Sequence, residues 1–277
     1  MTESLKDFYR NKEIYIKLPT EGKWYTSNIN LNNENEIGVM PMSFKDEMLL
    51  SIPDSVYNGE SLFEILQSIL PDMENPYEIL MPDVDVVILA SKINSNDGEM
   101  EVEAACTHCS HTEQYTVKIV NIINQIKVIN PIELELNNGL VVSFRPNSLR
   151  SVTTNQIRIS ETSAILSNFS KDDDLKDQHD LFAESIEKTT AANLVLIADS
   201  IEHILLPSGE KITDIQAILD WISNSDSNTV KKLQKMTTQI NHNGLDKNFT
   251  FECSNEECGK KFKSAVEFNP TFFFTNN

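Results

Sequence analysis

The chain has 277 residues, enough for one large or two ordinary domains, and 40% hydrophobic residues with only 8 glycines supply the material for a core. Its 42 acidic against 23 basic residues give a net charge of −19, a sign that repels phosphate backbones and argues against general nucleic-acid binding. The start, Met1 to Leu18, has scattered acidic residues and no continuous apolar segment. The longest apolar runs, Val86 to Ala90 and Leu194 to Ala198, are far too short to span a bilayer, so a soluble protein of a reducing compartment is expected.

Ile14 to Leu18 and Ile37 to Met40 read as strands around a Pro19-Thr-Glu-Gly22 turn and a long polar loop, with Pro41 closing the hairpin. Ser43 followed by Asp46 and Glu47 has the form of an N-cap with carboxylates in the first helical turn. Leu62, Ile65, Leu66 and Ile69 share a helical spacing, and Pro82 with Val84, Val87, Ile88 and Ile93 marks the next helix. Glu99 to Ala105 and Glu113 to Val120 flank Cys106-Thr-His-Cys109 as short strands.

Beyond them Ile132, Leu134 and Leu136 alternate, Asn138-Gly139 predicts a type I′ turn, and Leu140, Val142 and Phe144 alternate back to Pro146. Helices are predicted around Ile157 to Phe169 and from about Lys176 to Leu206, the second presenting Leu194, Ile197, Ile201 and Ile204 on one face. Thr213-x-x-Gln216 has the form of a capping box for a helix carrying Ile215, Ile218, Trp221 and Ile222, with Trp221 expected in the core. Val230, Leu233 and Ile240 belong to a last helix that Asn243-Gly244 ends. Asn248 to Glu252 and Lys261 to Phe268 then flank Cys253-Ser-Asn-Glu-Glu-Cys258. The order of hairpin, helices and cysteine knuckle thus occurs twice. It predicts an α+β fold of two modules, residues 1–130 with the first knuckle and a helix-rich 131–277 with the second; duplication and chance both account for the repeated order.

Those four cysteines are the only ones in the chain. Two close pairs of thiols are the donor set of a tetrahedral structural zinc site. The 143 residues between Cys109 and Cys253 make one shared Zn2+ per chain, held by Cys106, Cys109, Cys253 and Cys258, a zinc-ribbon-like clasp between the middle of the chain and its end. Disulfides, free thiols and two separate sites in an oligomer are the alternatives, the first disfavoured because nothing marks secretion. His108 and His111 stand close enough to replace a thiolate, although such residues more often lie beside the site or in solvent.

Evidence for catalysis is thin. There is no phosphate-cradling glycine loop, no H-E-x-x-H and no G-x-S-x-G, and His108, His111, His179, His203 and His242 show no catalytic spacing. Four cysteines also close the shell that a catalytic zinc keeps open, so the sequence predicts no enzyme. Asp172-Asp173-Asp174 reads as a solvated loop before it reads as a cation site. Lys260, Lys261 and Lys263 around Phe262 make a small basic stripe, as a zinc-ribbon regulatory protein of nucleic-acid machinery would want. Glu99, Glu101, Glu103 and Glu113 surround the other knuckle, and a contact between the two charge groups within the fold is the favoured reading. Phe268, Phe272, Phe273 and Phe274 crowd the end of the chain as a docking patch or as packing over the knuckle.

Several short pieces, taken in order, carry a resemblance. Lys17-Leu-Pro19-Thr-Glu-Gly22-Lys23-Trp-Tyr25, Val39-Met-Pro41-Met42-Ser-Phe-Lys45-Asp46-Glu47, the Cys106 knuckle, Cys258-Gly259 and Asn269-Pro270-Thr271-Phe272-Phe273 resemble the baseplate hub and hub-assembly proteins of T4-like contractile-tailed bacteriophages. The four-residue gap between Cys253 and Cys258 departs from the two-residue gap of the expected pattern. The resemblance implies a noncatalytic structural component or assembly factor of a tail baseplate hub, located in the virion tail baseplate or, during assembly, in the host cytoplasm. The implied partners are other phage tail or baseplate proteins, including those of tube and tape measure. No membrane role is implied, nucleic acid stays disfavoured, and a homo-oligomer is left open.

Overall fold

The structure, a computed structural model, describes residues 9–12, 14–50, 60–93, 98–167, 175–246 and 248–265, leaving out the side chains of residues 50, 60, 164–167 and 175–181. Phe268, Phe272, Phe273 and Phe274, the Asn269 to Phe273 motif and Asp172 to Asp174 lie outside the described residues. In chain order the elements are β1 (Ile14–Lys17), β2 (Glu36–Val39), α1 (Phe44–Leu50), α2 (Glu60–Ile69), a 3₁₀ turn at Pro76–Glu78, α3 (Met81–Ser91), β3 (Glu99–Ala105), β4 (Thr112–Lys118) and α4 (Ile119–Ile123). There follow β5 (Ile132–Glu135), β6 (Val141–Phe144), α5 (Leu149–Ser167), α6 (Leu175–Asp199), β7 (Ile201–Leu205), β8 (Lys211–Ile212), α7 (Ile215–Ser223), α8 (Ser227–His242), β9 (Asn248–Glu252) and β10 (Lys261–Ala265).

The chain forms two compact units. The first gathers Met1–Pro76, Pro82–Ile129 and Asn243–Asn277, and the second Tyr77–Met81 and Asn130–His242. One division falls near residue 130 and a second at 243, which returns the Cys253 knuckle to the unit that holds the Cys106 knuckle. Bonds between the departing and the returning chain account for the return. The Lys127 N–H donates to the Gly244 carbonyl at 2.8 Å, the Ile129 N–H to the Pro19 carbonyl at 2.8 Å, and the Lys127 ammonium lies 3.3 Å from the Asp246 carboxylate. Gly244 has φ +114°, and a Cβ there would stand 2.7 Å from Pro19, so only glycine fits the close approach.

In the first unit β1 and β2 pair antiparallel from Ile14↔Val39 to Lys17↔Glu36, and bury Ile16, Ile37 and Val39. The Ser43 hydroxyl accepts from the Asp46 N–H at 3.2 Å while the Asp46 carboxylate accepts from the Ser43 N–H at 2.7 Å, a reciprocal cap on α1. The Arg10 guanidinium lies 2.9 Å from the same carboxylate. Helix α2 turns Ile65, Leu66 and Ile69 inward. Helix α3 buries Val84, Val86, Val87, Ile88, Leu89 and Ala90, nearly its whole circumference, which places it at the centre of this unit. It stops at Ser91, so Ile93 stands in the following turn. Strand β4 stops at Lys118, and Val120, expected to extend it, belongs to α4, where Ile119 and Ile122 point inward one turn apart.

The Leu-Pro-x-x-Gly-x-x-Tyr segment wraps the start of α3. Positive φ at Glu21 (53°), Gly22 (76°) and Trp24 (64°) coils the backbone tightly. Both Thr20 and Tyr25 thereby reach the fully buried Asp83. Its carboxylate accepts the Thr20 N–H at 3.1 Å, the Thr20 hydroxyl, and the Tyr25 hydroxyl at 2.7 Å. Burial pushes the Asp83 carboxyl up to about 6, and the donors from Thr20 and Tyr25 hold it from rising further.

The second unit is built on a four-stranded antiparallel sheet in the order β5-β6-β7-β8. The sequence reading carried a helix to Leu206; instead α6 ends at Asp199 and Ile201–Leu205 is strand β7, inside the sheet. Ser200 makes the break. Its N–H and hydroxyl both donate to the Ile197 carbonyl, at 3.1 and 2.9 Å, and the hydroxyl also meets Thr237 at 2.6 Å. The β5–β6 connection differs from the expected type I′ turn as well. Gly139 alone has positive φ, its N–H bonds the Leu136 carbonyl at 2.9 Å, and the Leu136 N–H bonds the Leu140 carbonyl at 2.8 Å. This is a type I turn with a left-handed glycine bulge. Leu206 to Glu210 repeats it around Gly209, joining β7 to β8. The second half of the chain therefore contains a strand pair, β7 and β8, that the sequence reading did not include in the repeated order.

Asp214, one residue beyond the proposed Thr213, caps α7 by accepting the Ala217 N–H at 2.8 Å. Ile218 and Ile222 supply the buried face of that helix, Trp221 is half-buried and Ile215 is exposed. Asn147 and Asn241 form a reciprocal pair at 2.8 and 2.6 Å, and Asn147 also donates to the Leu196 carbonyl, tying α8 to the start of α5 and the end of α6.

The Asp83 network has two measurable consequences. Asp83→Ala leaves three donors without their acceptor and is expected to destabilise the protein by roughly 3 kcal/mol in chemical denaturation. Because the folded carboxyl titrates near 6, above its ordinary 3.8, the folded state binds the extra proton. The stabilisation linked to that proton is complete below pH about 4 and is lost as pH rises through about 6. Asp83→Asn is expected to remove this segment of the stability–pH profile.

Candidate metal centre

Two β-hairpins carry the four cysteines. In the first, β3 and β4 pair from Glu99↔Lys118 to Ala105↔Thr112, with Cys106 to Cys109 in the connecting turn. In the second, β9 and β10 pair from Asn248↔Ala265 to Glu252↔Lys261, with Cys253 to Cys258 between them. Alternation sorts each ribbon into two faces. Val102, Ala104, Phe249, Phe251 and Phe262 are buried, and Tyr115 is half-buried on the same inner side. The Tyr115 ring lies 4.7 Å from Phe251 and 5.9 Å from Phe262, and Phe251 lies 5.9 Å from Phe262, between ring centroids. Each such pair contributes roughly 0.5–1.5 kcal/mol beyond the area it buries. Glu99, Glu101, Glu103, Glu113, Lys260, Lys261 and Lys263 are all exposed.

The favoured electrostatic contact between the two knuckles is therefore replaced by an aromatic one. Among the described residues no ion pair joins those lysines to those glutamates; Phe262, read with the basic stripe, packs inward. The signal that could have revealed this is the period-two spacing of Phe249 and Phe251, followed by Phe262 on the return strand.

Each turn is closed by its own backbone. The Cys106 N–H donates to the His111 carbonyl at 2.8 Å, and the Ser110 N–H to the Cys106 carbonyl at 2.8 Å, with Ser110 at φ +60°. In the second turn the Cys253 N–H donates to the Lys260 carbonyl at 3.1 Å, while the N–H groups of Cys258 and Gly259 both donate to the Asn255 carbonyl, at 2.8 and 3.0 Å. Gly259 has φ +52°. The residue after the second cysteine is left-handed in both turns. The longer gap before Cys258 is taken up around Asn255, whose side-chain oxygen also accepts the Glu257 N–H at 3.0 Å.

The four Sγ atoms all lie within 4.8 Å of one another. Cys109 and Cys253 approach to 3.5 Å and Cys106 and Cys258 to 3.9 Å, each contact crossing from one hairpin to the other. All four are free thiols. Sulphurs about 2.3 Å from a central ion form a tetrahedron with edges of about 3.8 Å, so the spacing and the donor set both fit a bound metal ion. His108 and His111 are outside this cluster. The His108 ring nitrogen lies 3.3 Å from the Lys261 carbonyl, and His111 lies 3.8 Å from Glu113 at the surface.

Electrostatics separate the thiols. Burial works against ionisation of Cys106, but the N–H groups of His108 and Cys109 and the thiols of Cys109 and Cys253 outweigh it and bring Cys106 down to about 6. Burial, with the other three sulphurs adding to it, pushes Cys253 up to about 12. One thiolate thus forms readily, and further negative charge in the same space needs a cation to offset it.

An α+β protein emerges in which one unit carries a closed four-thiol centre between two aromatic-packed hairpins. The chain belongs to the family of T4 bacteriophage base plate proteins, whose description matches residues 13–275; it is a phage baseplate protein of the virion tail. No curated protein sequence and no solved structure matches the chain. Among the described residues no helix is long and apolar enough to cross a membrane.

Metal binding at four thiols must displace protons. Acidification from pH 8 to pH 5 in the presence of a fixed metal buffer is expected to release the ion and lower the melting temperature together. Inductively coupled plasma analysis of protein dialysed at each pH, paired with thermal scans, checks this.

Proposed function

We propose that the protein is a noncatalytic structural component or assembly factor of the phage tail baseplate hub, and that Cys106, Cys109, Cys253 and Cys258 hold one structural Zn2+ per chain. The observation that carries the metal reading is the approach of cysteines 144 and 152 positions apart to 3.5 and 3.9 Å. An all-thiolate, closed, tetrahedral donor set selects zinc among the common divalent ions and leaves no position for a reacting water. The ion would hold the hairpin that precedes residues 130–242 to the hairpin that follows them. Apparent zinc binding energies at structural sites are on the order of 10 kcal/mol or more, large beside the total stability of a domain.

Membership in a baseplate family supports other phage tail or baseplate proteins as the partners. The zinc-ribbon regulatory reading has less support, because Glu252 stands directly opposite Lys261 and the whole chain carries −19.

Native mass spectrometry of the protein purified under reducing conditions, alone and with tail-tube and hub proteins, tests both parts. One zinc per chain and a stable complex are expected; a metal-free monomer indifferent to tail proteins overturns the reading. Cys109→Ser and Cys258→Ser should each lose the zinc and lower the melting temperature by roughly 10 °C.

A further inference from the structure

Tyr115 presents a buried polar atom that the fold itself does not use. Its hydroxyl is closed to solvent, and no group among the described residues meets it in hydrogen-bonding geometry. Buried hydroxyls are nearly always paired, so an orphan of this kind points to something the pairing requires. The ring cannot swing away to find a partner, since Phe251 and Phe262 hold it at 4.7 and 5.9 Å and Val102 stands opposite it across the β3–β4 ladder. The groups that act on the hydroxyl are Cys253 and Ser254 on the second knuckle and Glu113 on its own strand. The ring packs on the hairpin that carries Cys253 and Cys258, so a phenol hydroxyl brings an unused donor to that ribbon.

We propose that Tyr115 is a positioning residue for the metal centre, its hydroxyl donating to the Cys253 thiolate once the four sulphurs hold a divalent cation. A neutral thiol is a weak acceptor, whereas a thiolate keeps negative charge when it binds a metal and is a good one. The hydroxyl therefore gains its partner in the loaded protein and is unpartnered in the empty one, so that it adds to metal affinity without adding to metal-free stability. Donors to ligating groups commonly change metal affinity by 10–100-fold. The aromatic ring meanwhile serves the packing of the two ribbons, and the two roles separate at a single atom.

This inference rests on the four-cysteine metal reading, and the experiment distinguishes their failures. Full-length wild type, Tyr115→Phe and Ser254→Ala are titrated with Zn2+ against a chromophoric chelator and with Co2+, following the thiolate-to-cobalt absorption. Tyr115→Phe is expected to weaken zinc binding by about 10-fold or more, to shift the cobalt band, and to leave the metal-free melting temperature unchanged or slightly raised. Ser254→Ala is expected to change affinity less. If wild type takes up neither ion, the metal reading falls and this inference with it. If wild type binds one ion and Tyr115→Phe binds it with the same affinity and spectrum, the role of Tyr115 alone is refuted. A matching fall in metal-free melting temperature assigns the hydroxyl to packing and also overturns the proposal, as does an equal loss in Ser254→Ala, which makes Ser254 the partner.

Discussion

The packing of Tyr115 against Phe251 and Phe262 is the interaction on which the arrangement of the first unit depends. Two ribbons far apart in the chain must meet face to face before four sulphurs can converge, and apolar rings are what brings them together. No backbone ladder does it, because the two hairpins form separate two-stranded sheets. The cluster of four sulphurs is an outcome of that packing: the knuckles sit at the same end of both ribbons, so alignment of the rings aligns the cysteines. This is why cross-hairpin sulphur contacts are as short as 3.5 Å.

Much of this was legible in the residues. Paired cysteines with short gaps announced the centre, alternation announced β5 and β6, and β9 and most of β3 and β4 were expected as the strands flanking the knuckles. The family pieces were legible too, but only as letters. Their physical content appears once Asp83 is seen beneath Thr20 and Tyr25, a contact spanning about sixty positions that no local pattern encodes. The segment is a clamp around the first turn of α3, and its glycine suits the left-handed φ of +76° at residue 22.

What could not be read had definite causes. Leu194 to Leu205 keeps an apolar spacing compatible with a helix straight through Ser200, and neither glycine nor proline interrupts it, so the change from α6 to β7 left only the later Pro207-Ser-Gly209 turn as a trace. The charged residues around the knuckles misled for a different reason. Acidic and basic residues close in sequence to a common site suggest attraction, yet strand alternation sends them outward while the rings between them take the inner positions. Period decided the matter where charge did not.

The return of the chain at Asn243 also orders events in time. Emerging from a ribosome at 5–20 residues per second, the segment between Cys109 and Cys253 takes roughly 7–30 s to synthesise. Throughout that interval Cys106 and Cys109 exist as an isolated dithiol while Asn130–His242 is being made, and that segment is complete in sequence before Cys253 emerges. The unit begun first is finished last, and the nascent protein must protect two thiols until the hairpin of Cys253 and Cys258 arrives.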